Sequence, residues 1–315
     1  MGRGRTAVGL ATLLVAAGTV MPGESRAADP RCFGAAARDP QRPCENRQLR
    51  LKVTPTPDKA QVTPNLVCRG EGQAEVFERC AFGLEAEEAD ATVAIIGDSH
   101  AAHWRAALAV VARAKRWRML EVSAPHCPLS LAAPDSGPEV ADWCPKWNRR
   151  VLAGLAERPE IKTVFLSSNA RAPIVVPDGR TEFATRVSGY ARAWRLLPAS
   201  VEQMIVIRDN PIDRIQTFEC VRRATTRRRP AGPACGVSRR HALPPDAAVA
   251  AAKRLPDRNA RVIDLSRQFC TGRVCLPVVG GVLVHKDVDH LTQLFARTLG
   301  PYLLRGVNAA LAPGQ

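Results

Sequence analysis

Two short stretches, one in the first third of the chain and one close to its end, hold residue types that together could carry out acyl chemistry. The first is Gly97-Asp98-Ser99-His100 and the second is Asp287-Val288-Asp289-His290. A serine hydroxyl is a weak nucleophile near neutral pH, so it needs a base to take its proton, and that base needs a carboxylate to hold its tautomer. Asp287 and His290 are three apart, so at the start of a helix their side chains can lie next to one another. Ser99 is therefore the candidate nucleophile, His290 the base and Asp287 the orienting acid. A base of this kind works as neutral imidazole, so activity is expected to rise through the His290 pKa, near 6.5 for an unperturbed ring.

The elements around these residues are legible from spacing. Thr92 to Ile96 is a run of β-branched and small residues that reads as a buried parallel strand. From His100 onward Ala101, Trp104, Leu108 and Val111 recur at helical intervals, which puts Ser99 in the turn between strand and helix. Unpaired backbone N–H groups and the helix dipole stabilise negative charge there. The same turn is equally an ordinary place for an N-cap serine. Further strands are expected at 118–123, 161–166, 201–207 and 260–265, and helices at 143–155, at 181–197 and after His290. Alternating strands and helices argue for an α/β fold, a parallel sheet with helices on both faces, and right-handed crossovers put every strand's C-terminal end on one rim. Ser99, Asn169, Asp287 and His290 all fall at such ends. Asp98 reads as a turn former and Asp289 as the cap of the last helix. His100 and His103 read as structural, with no third metal ligand evident, and no metal or cofactor is expected.

GDSH after the first strand, with D-x-x-H before the last helix, resembles the SGNH hydrolase superfamily. The longer words GDSHAAHW and DVDHLT resemble more narrowly the SGNH domain found at the C-terminus of membrane acyltransferases that O-acetylate cell-surface polysaccharides. The resemblance spans about Cys68 to Val307 and implies a three-layer, flavodoxin-like domain. It also implies an oxyanion hole built from the Ser99 backbone N–H, a glycine N–H after the second strand and an asparagine side chain after the third. Asn169 stands at the asparagine's place, but Ser123-Ala124-Pro125 follows the second strand and supplies no glycine.

Composition bounds the remaining alternatives. The net charge of +15 fits an anionic membrane, acidic glycan or nucleic acid as neighbour, or solubility alone, but no nucleic-acid-binding motif accompanies it, and nucleic acid is not expected as a partner. The basic run Arg222–Arg229, continued by Arg239 and Arg240, reads as a solvated loop or as a clamp for an acidic polymer. Residues 1–27 read as a signal peptide, with an uncleaved anchor as the competing reading, so the rest is expected to be exported, periplasmic or extracellular. The cysteines fit that compartment and fall in close couples: Cys32/Cys44, Cys68/Cys80, Cys127/Cys144, Cys220/Cys235 and Cys270/Cys275. Sequence leaves their connectivity open, and neighbour pairing is the simplest arrangement. The couples Cys127/Cys144 and Cys270/Cys275 also resemble ones of the acyltransferase-type domain. Residues 28–90, rich in proline, read as a disulfide-stapled lead-in, and 91–315 as the catalytic domain.

Three functions follow from this reading. The first is transfer of an acyl group, through a Ser99 acyl-enzyme, to a surface or extracellular polysaccharide, which requires a separate multi-span membrane protein as acyl donor. The second is hydrolysis of glycan O-acyl groups. The third is a binding protein that has kept the fold without turnover.

Overall fold

In the computed structural model, residues 1–2, 29–62, 76–77 and 80–312 are described. The expected signal peptide and Cys68 therefore lie outside the described residues. The chain divides into two units, Met1–Pro30 and Arg31–Gln315, and everything below concerns the second.

Its centre is a six-stranded sheet of β1 (Ala81–Gly83), β2 (Ala91–Gly97), β3 (Trp117–Ser123), β4 (Thr163–Ser167), β5 (Gln203–Ile207) and β6 (Ala260–Ile263), in the order β1-β3-β2-β4-β5-β6. All neighbours are parallel except β1, which runs antiparallel to β3. This edge strand comes from the proline-rich lead-in, and three residues are too few to show a period in the sequence.

The apolar run of β2 is divided between two cores, as strand alternation demands. Val93 and Ile95 point to one face, with Leu108 and Val111 of α2 (Arg105–Lys115) and Phe295 and Leu299 of α7 (Gln293–Leu311). Ala94 and Ile96 point to the other, with Trp147 and Val151 of α3 (Pro138–Ala156) and Val187 and Trp194 of α4 (Glu182–Arg195). Each fully buried side chain of this size contributes roughly 1.5–3 kcal/mol. The remaining helices include α1 (Ser99–Ala102), α5 (Thr217–Thr226) and α6 (Ala247–Ala252).

Two local expectations change. The helix after Ser99 is two pieces, α1 and α2, with His103 and Trp104 between them. The last helix is capped by Thr292, whose hydroxyl accepts from the Phe295 N–H at 3.1 Å, and not by Asp289. Asp289 lies instead in a tight loop where His285 bridges Leu291 and the Lys286 N–H donates to the His290 carbonyl at 2.8 Å.

Four of the expected cysteine pairs form: Cys32–Cys44, Cys127–Cys144, Cys220–Cys235 and Cys270–Cys275. The fifth expected couple, Cys68/Cys80, is not among these four, because Cys68 lies outside the described residues. Cys80 itself is disulfide-bonded and buried just before β1, with its Sγ 3.8 Å from Glu121 Oε2. The basic run is partly neutralised on α5, where Arg222 pairs with Asp58 and Arg223 with Glu219, while Arg227, Arg228 and Arg229 are exposed.

Candidate active site

Register brings the strand ends to one level. Gly97 at the end of β2 stands opposite Ser123 on one side and Ser167 on the other. A Cβ at Gly97 would sit 1.8 Å from the Ser167 carbonyl oxygen, so only glycine lets the strands stay this close where the chain turns into α1. Asp98 then caps α1, accepting from the His100 N–H at 2.8 Å and from the Asn169 N–H at 2.9 Å. It ties the Ser99 turn to the loop after β4 as well as to its own loop.

Ser99 starts α1, and its Oγ lies 2.9 Å from Nε2 of His290. Nδ1 of the same ring lies 2.9 Å from Asp287 Oδ2. Asp287 also accepts the backbone N–H groups of Asp289 at 3.1 Å and His290 at 2.7 Å, so the carboxylate that faces the ring also folds the loop that carries it. Asp289 is a second acid at the ring, with Oδ1 3.1 Å from Nδ1.

These carboxylates set the charge of His290. Burial works against protonation of His290, but the hydrogen bonds to Asp287 and Asp289, together with the Asp287 charge, outweigh it and lift the imidazole pKa to about 9. Both acids are held below the usual carboxylate range, burial being outweighed for Asp287 by bonds to His290 and for Asp289 by bonds to His100 and His290.

The two expected oxyanion donors, the Ser99 N–H and Asn169, both border the turn after β2. The Ala124 N–H after β3 donates to the Gly97 carbonyl at 3.1 Å, so it is occupied within the sheet rim. Asn169 reaches the site, but its Nδ2 donates to Asp289 Oδ2 at 3.1 Å. An amide nitrogen carries two hydrogens, so this bond leaves one for a further acceptor. The Ser99 N–H, in the first turn of α1, has no intrahelical partner.

Around His100 and His103, read from sequence as structural, stand several polar residues to which the sequence reading gave no role. His100 is fully buried, with Nδ1 2.7 Å from Asp209 Oδ1. Asp209 follows β5 in the stretch Arg208–Pro211 that reads only as a strand terminator, and its other oxygen accepts the Ala170 N–H at 2.7 Å. Asn210 donates to the Asp289 carbonyl at 2.7 Å and lies 3.2 Å from His285 Nε2, whose ring is held on its other side by Asp213 at 3.0 Å. His103 is buried, and neither ring nitrogen has a hydrogen-bond partner among the described residues. Burial and the nearby His100 and His290 rings push its pKa well below the ordinary value. An acid on the strand's C-terminal rim was the available signal for Asp209.

Ligand-type atoms of His100, His103 and Asp209 lie within 4.8 Å of one another, as do those of His100, Asp289 and His290. The third residue that the sequence does not reveal beside His100 and His103 is thus Asp209. In both sets the carboxylates make hydrogen bonds with the rings or with backbone or side-chain N–H groups.

A search of curated proteins found no match. Among solved structures, the periplasmic domain of the lipopolysaccharide acetyltransferase of Salmonella ser. Paratyphi A is similar in fold, with a TM-score of 0.54 at 13% identity over 70% of this chain and 84% of that one. The family model described as SGNH domain (fused to AT3 domains) matches residues 67–305. The chain belongs to this SGNH family, and is an enzyme of the acyltransferase or esterase type.

Proposed function

We propose that the protein is an exported serine acyltransferase that moves an acetyl or similar acyl group to a hydroxyl of a surface or extracellular polysaccharide. The observation that carries the reading is the 2.9 Å contact between Ser99 Oγ and His290 Nε2, backed by Asp287. In the first half-reaction the Ser99 proton passes to His290 Nε2 while Oγ bonds the acyl carbon. The oxyanion forms beside the Ser99 N–H and Asn169. Its collapse expels the donor's leaving group, which takes the proton from His290. In the second half-reaction His290 takes the proton of a sugar hydroxyl, whose oxygen attacks the acyl carbon, and as this intermediate collapses the bond to Ser99 Oγ breaks and His290 returns the proton to Oγ. One missing oxyanion donor costs about 2.7–4 kcal/mol, so the role of Asn169 has a measurable size.

The family's fusion to AT3 domains supports a membrane protein as the acyl donor. No helix among the described residues is long and apolar enough to cross a membrane, and this reading takes the donor to be a separate membrane partner. The disulfides and the periplasmic neighbour support export.

Hydrolysis is the second reading. The His290 side chain is 28% exposed and that of Asp287 45%, which leaves water a path to the acyl-enzyme. Purified protein with p-nitrophenyl acetate, alone and with added oligosaccharide, separates the two. Acylated sugar supports transfer, and acetate release that ignores the sugar supports hydrolysis. Ser99→Ala is expected to abolish both, and unchanged turnover in that variant would remove Ser99 as nucleophile.

A further inference from the structure

His100 adjoins the nucleophile in sequence, yet its ring faces away from solvent into a cage of acids. Its Nδ1 is 2.7 Å from Asp209, and its Nε2 is 3.7 Å from Asp289 Oδ2, an ion-pair distance longer than a hydrogen bond. The His100 and Asp209 side chains are 0% and 4% exposed, so this is a fixed interior pair. Asp209 is itself held by the N–H groups of Ala170 at 2.7 Å and Asn210 at 3.0 Å. Its own N–H donates to the buried Asp246 at 2.9 Å. On the far side of His100, Asp289 meets Asn169 at 3.1 Å and then His290 Nδ1 at 3.1 Å. A continuous line thus runs from the end of β5 to the base: Asp209, His100, Asp289, His290.

We propose that His100 is a positioning residue, whose imidazole, anchored by Asp209, holds Asp289 against His290 as a second orienting acid beside Asp287. The inference rests on the reading of Ser99 and His290 as the working pair. Its physical content is that Asp289 is more than half buried at the ring and needs a cation behind it to stay ionised there. The charge on His100 fits the role: burial opposes protonation, but Asp209 outweighs it and raises the pKa well above the ordinary value. The groups facing His100 are Asp98 and His103 from its own turn and helix, Asp209 after β5, and Asp289 and His290 from the C-terminal loop. Three acids against two rings, one of them held neutral, leave a cation favoured at this position.

The test is a double-mutant cycle of His100→Gln and Asp289→Asn in the full chain, read by kcat on p-nitrophenyl acetate and by the acid limb of its pH profile. On the plateau above the His290 pKa, each single variant is expected to lower kcat about tenfold, part of the 10²–10⁴ that a general base supplies, with KM unchanged. The double variant should fall no further than either single, because both remove one interaction. The acid limb should move downward in both singles, toward the ordinary imidazole value, as His290 loses an acid. Wild-type turnover on that plateau in either single, or a double equal to the product of the singles there, would overturn the proposal. So would an upward limb in His100→Gln, which is what a mere neighbouring charge would give. Near-UV circular dichroism checks folding, and Asp209→Asn, which removes the anchor and keeps the ring, replaces His100→Gln if that variant does not fold. If the wild type shows no Ser99-dependent turnover, the functional reading fails by itself. NMR titration of the His290 ring then still decides the positioning, supported by a lowered pKa in both variants and overturned by an unchanged or raised one.

Discussion

At the scale of residues, the base carries more negative charge around it than a lone Ser-His-Asp constellation would provide. Two carboxylates contact the His290 Nδ1 side, and the imidazole is lifted to about 9. The sign of the consequence is fixed by the chemistry: only the neutral ring can take the Ser99 proton, and its fraction grows with pH until the pKa is passed. The kcat/KM for p-nitrophenyl acetate is therefore expected to rise nearly tenfold per pH unit from 6 to 8 and to level off near 9, in place of the midpoint near 6.5 expected for an isolated ring. A profile already flat at pH 7 would show that the acids do not act on His290 in solution. The same surplus explains why the sequence could name Asp287 but not the role of Asp289. Asp-x-x-His reads directly as a pair, whereas Asp289 is turned inward only because Asp287 folds the loop beneath it.

At the scale of elements, the site depends on how closely three strand ends approach. Gly97 is the contact point, since a Cβ there would overlap the Ser167 carbonyl. Gly97→Ala is expected to destabilise the fold by about 3 kcal/mol, the upper part of the usual range for overpacking, and to lower turnover by displacing Ser99. Chemical denaturation checks the first effect, and an unchanged midpoint would mean the strands part without cost. The strand-turn-helix word around Ser99 was legible because buried strands and amphipathic helices leave periods of different length. The short edge strand Ala81–Gly83 and the break between α1 and α2 left no such trace. The contact of Asp209 with His100 was illegible for another reason. Asp209 meets His100 only because β5 lies beside β4, and β4 beside β2, a matter of sheet order that no local pattern carries.

At the scale of the whole molecule, two of the chain's many arginines, Arg171 and Arg214, stand near the site. Arg171, two residues beyond Asn169, donates to the His241 carbonyl. Slight burial and the charges of Arg171 and Arg214 push the His241 pKa below its ordinary value, which places the two arginines beside a neutral ring. Asp213, next to Arg214, donates its N–H to the Val288 carbonyl at 2.7 Å, so this basic rim is continuous with the loop bearing the base. An acidic polymer is the acceptor such a rim suits. Arg171→Ala with Arg214→Ala is expected to raise the KM for a uronic-acid oligosaccharide several-fold and to leave that for p-nitrophenyl acetate unchanged. Added salt should mimic the double variant. Equal KM values for the acidic sugar would move acceptor binding elsewhere, the exposed Arg227–Arg229 segment being the next place to examine.

All of these expectations presuppose that the hydroxyl at position 99 is the activated group of the chain. Labelling with a fluorophosphonate, followed by intact-mass and peptide analysis, asks this with no assumption about acceptor or donor. A single adduct per chain, located on Ser99, absent in Ser99→Ala and strongly slowed in His290→Ala, is the result predicted. An adduct on another residue, or labelling that persists undiminished in Ser99→Ala, would contradict the account.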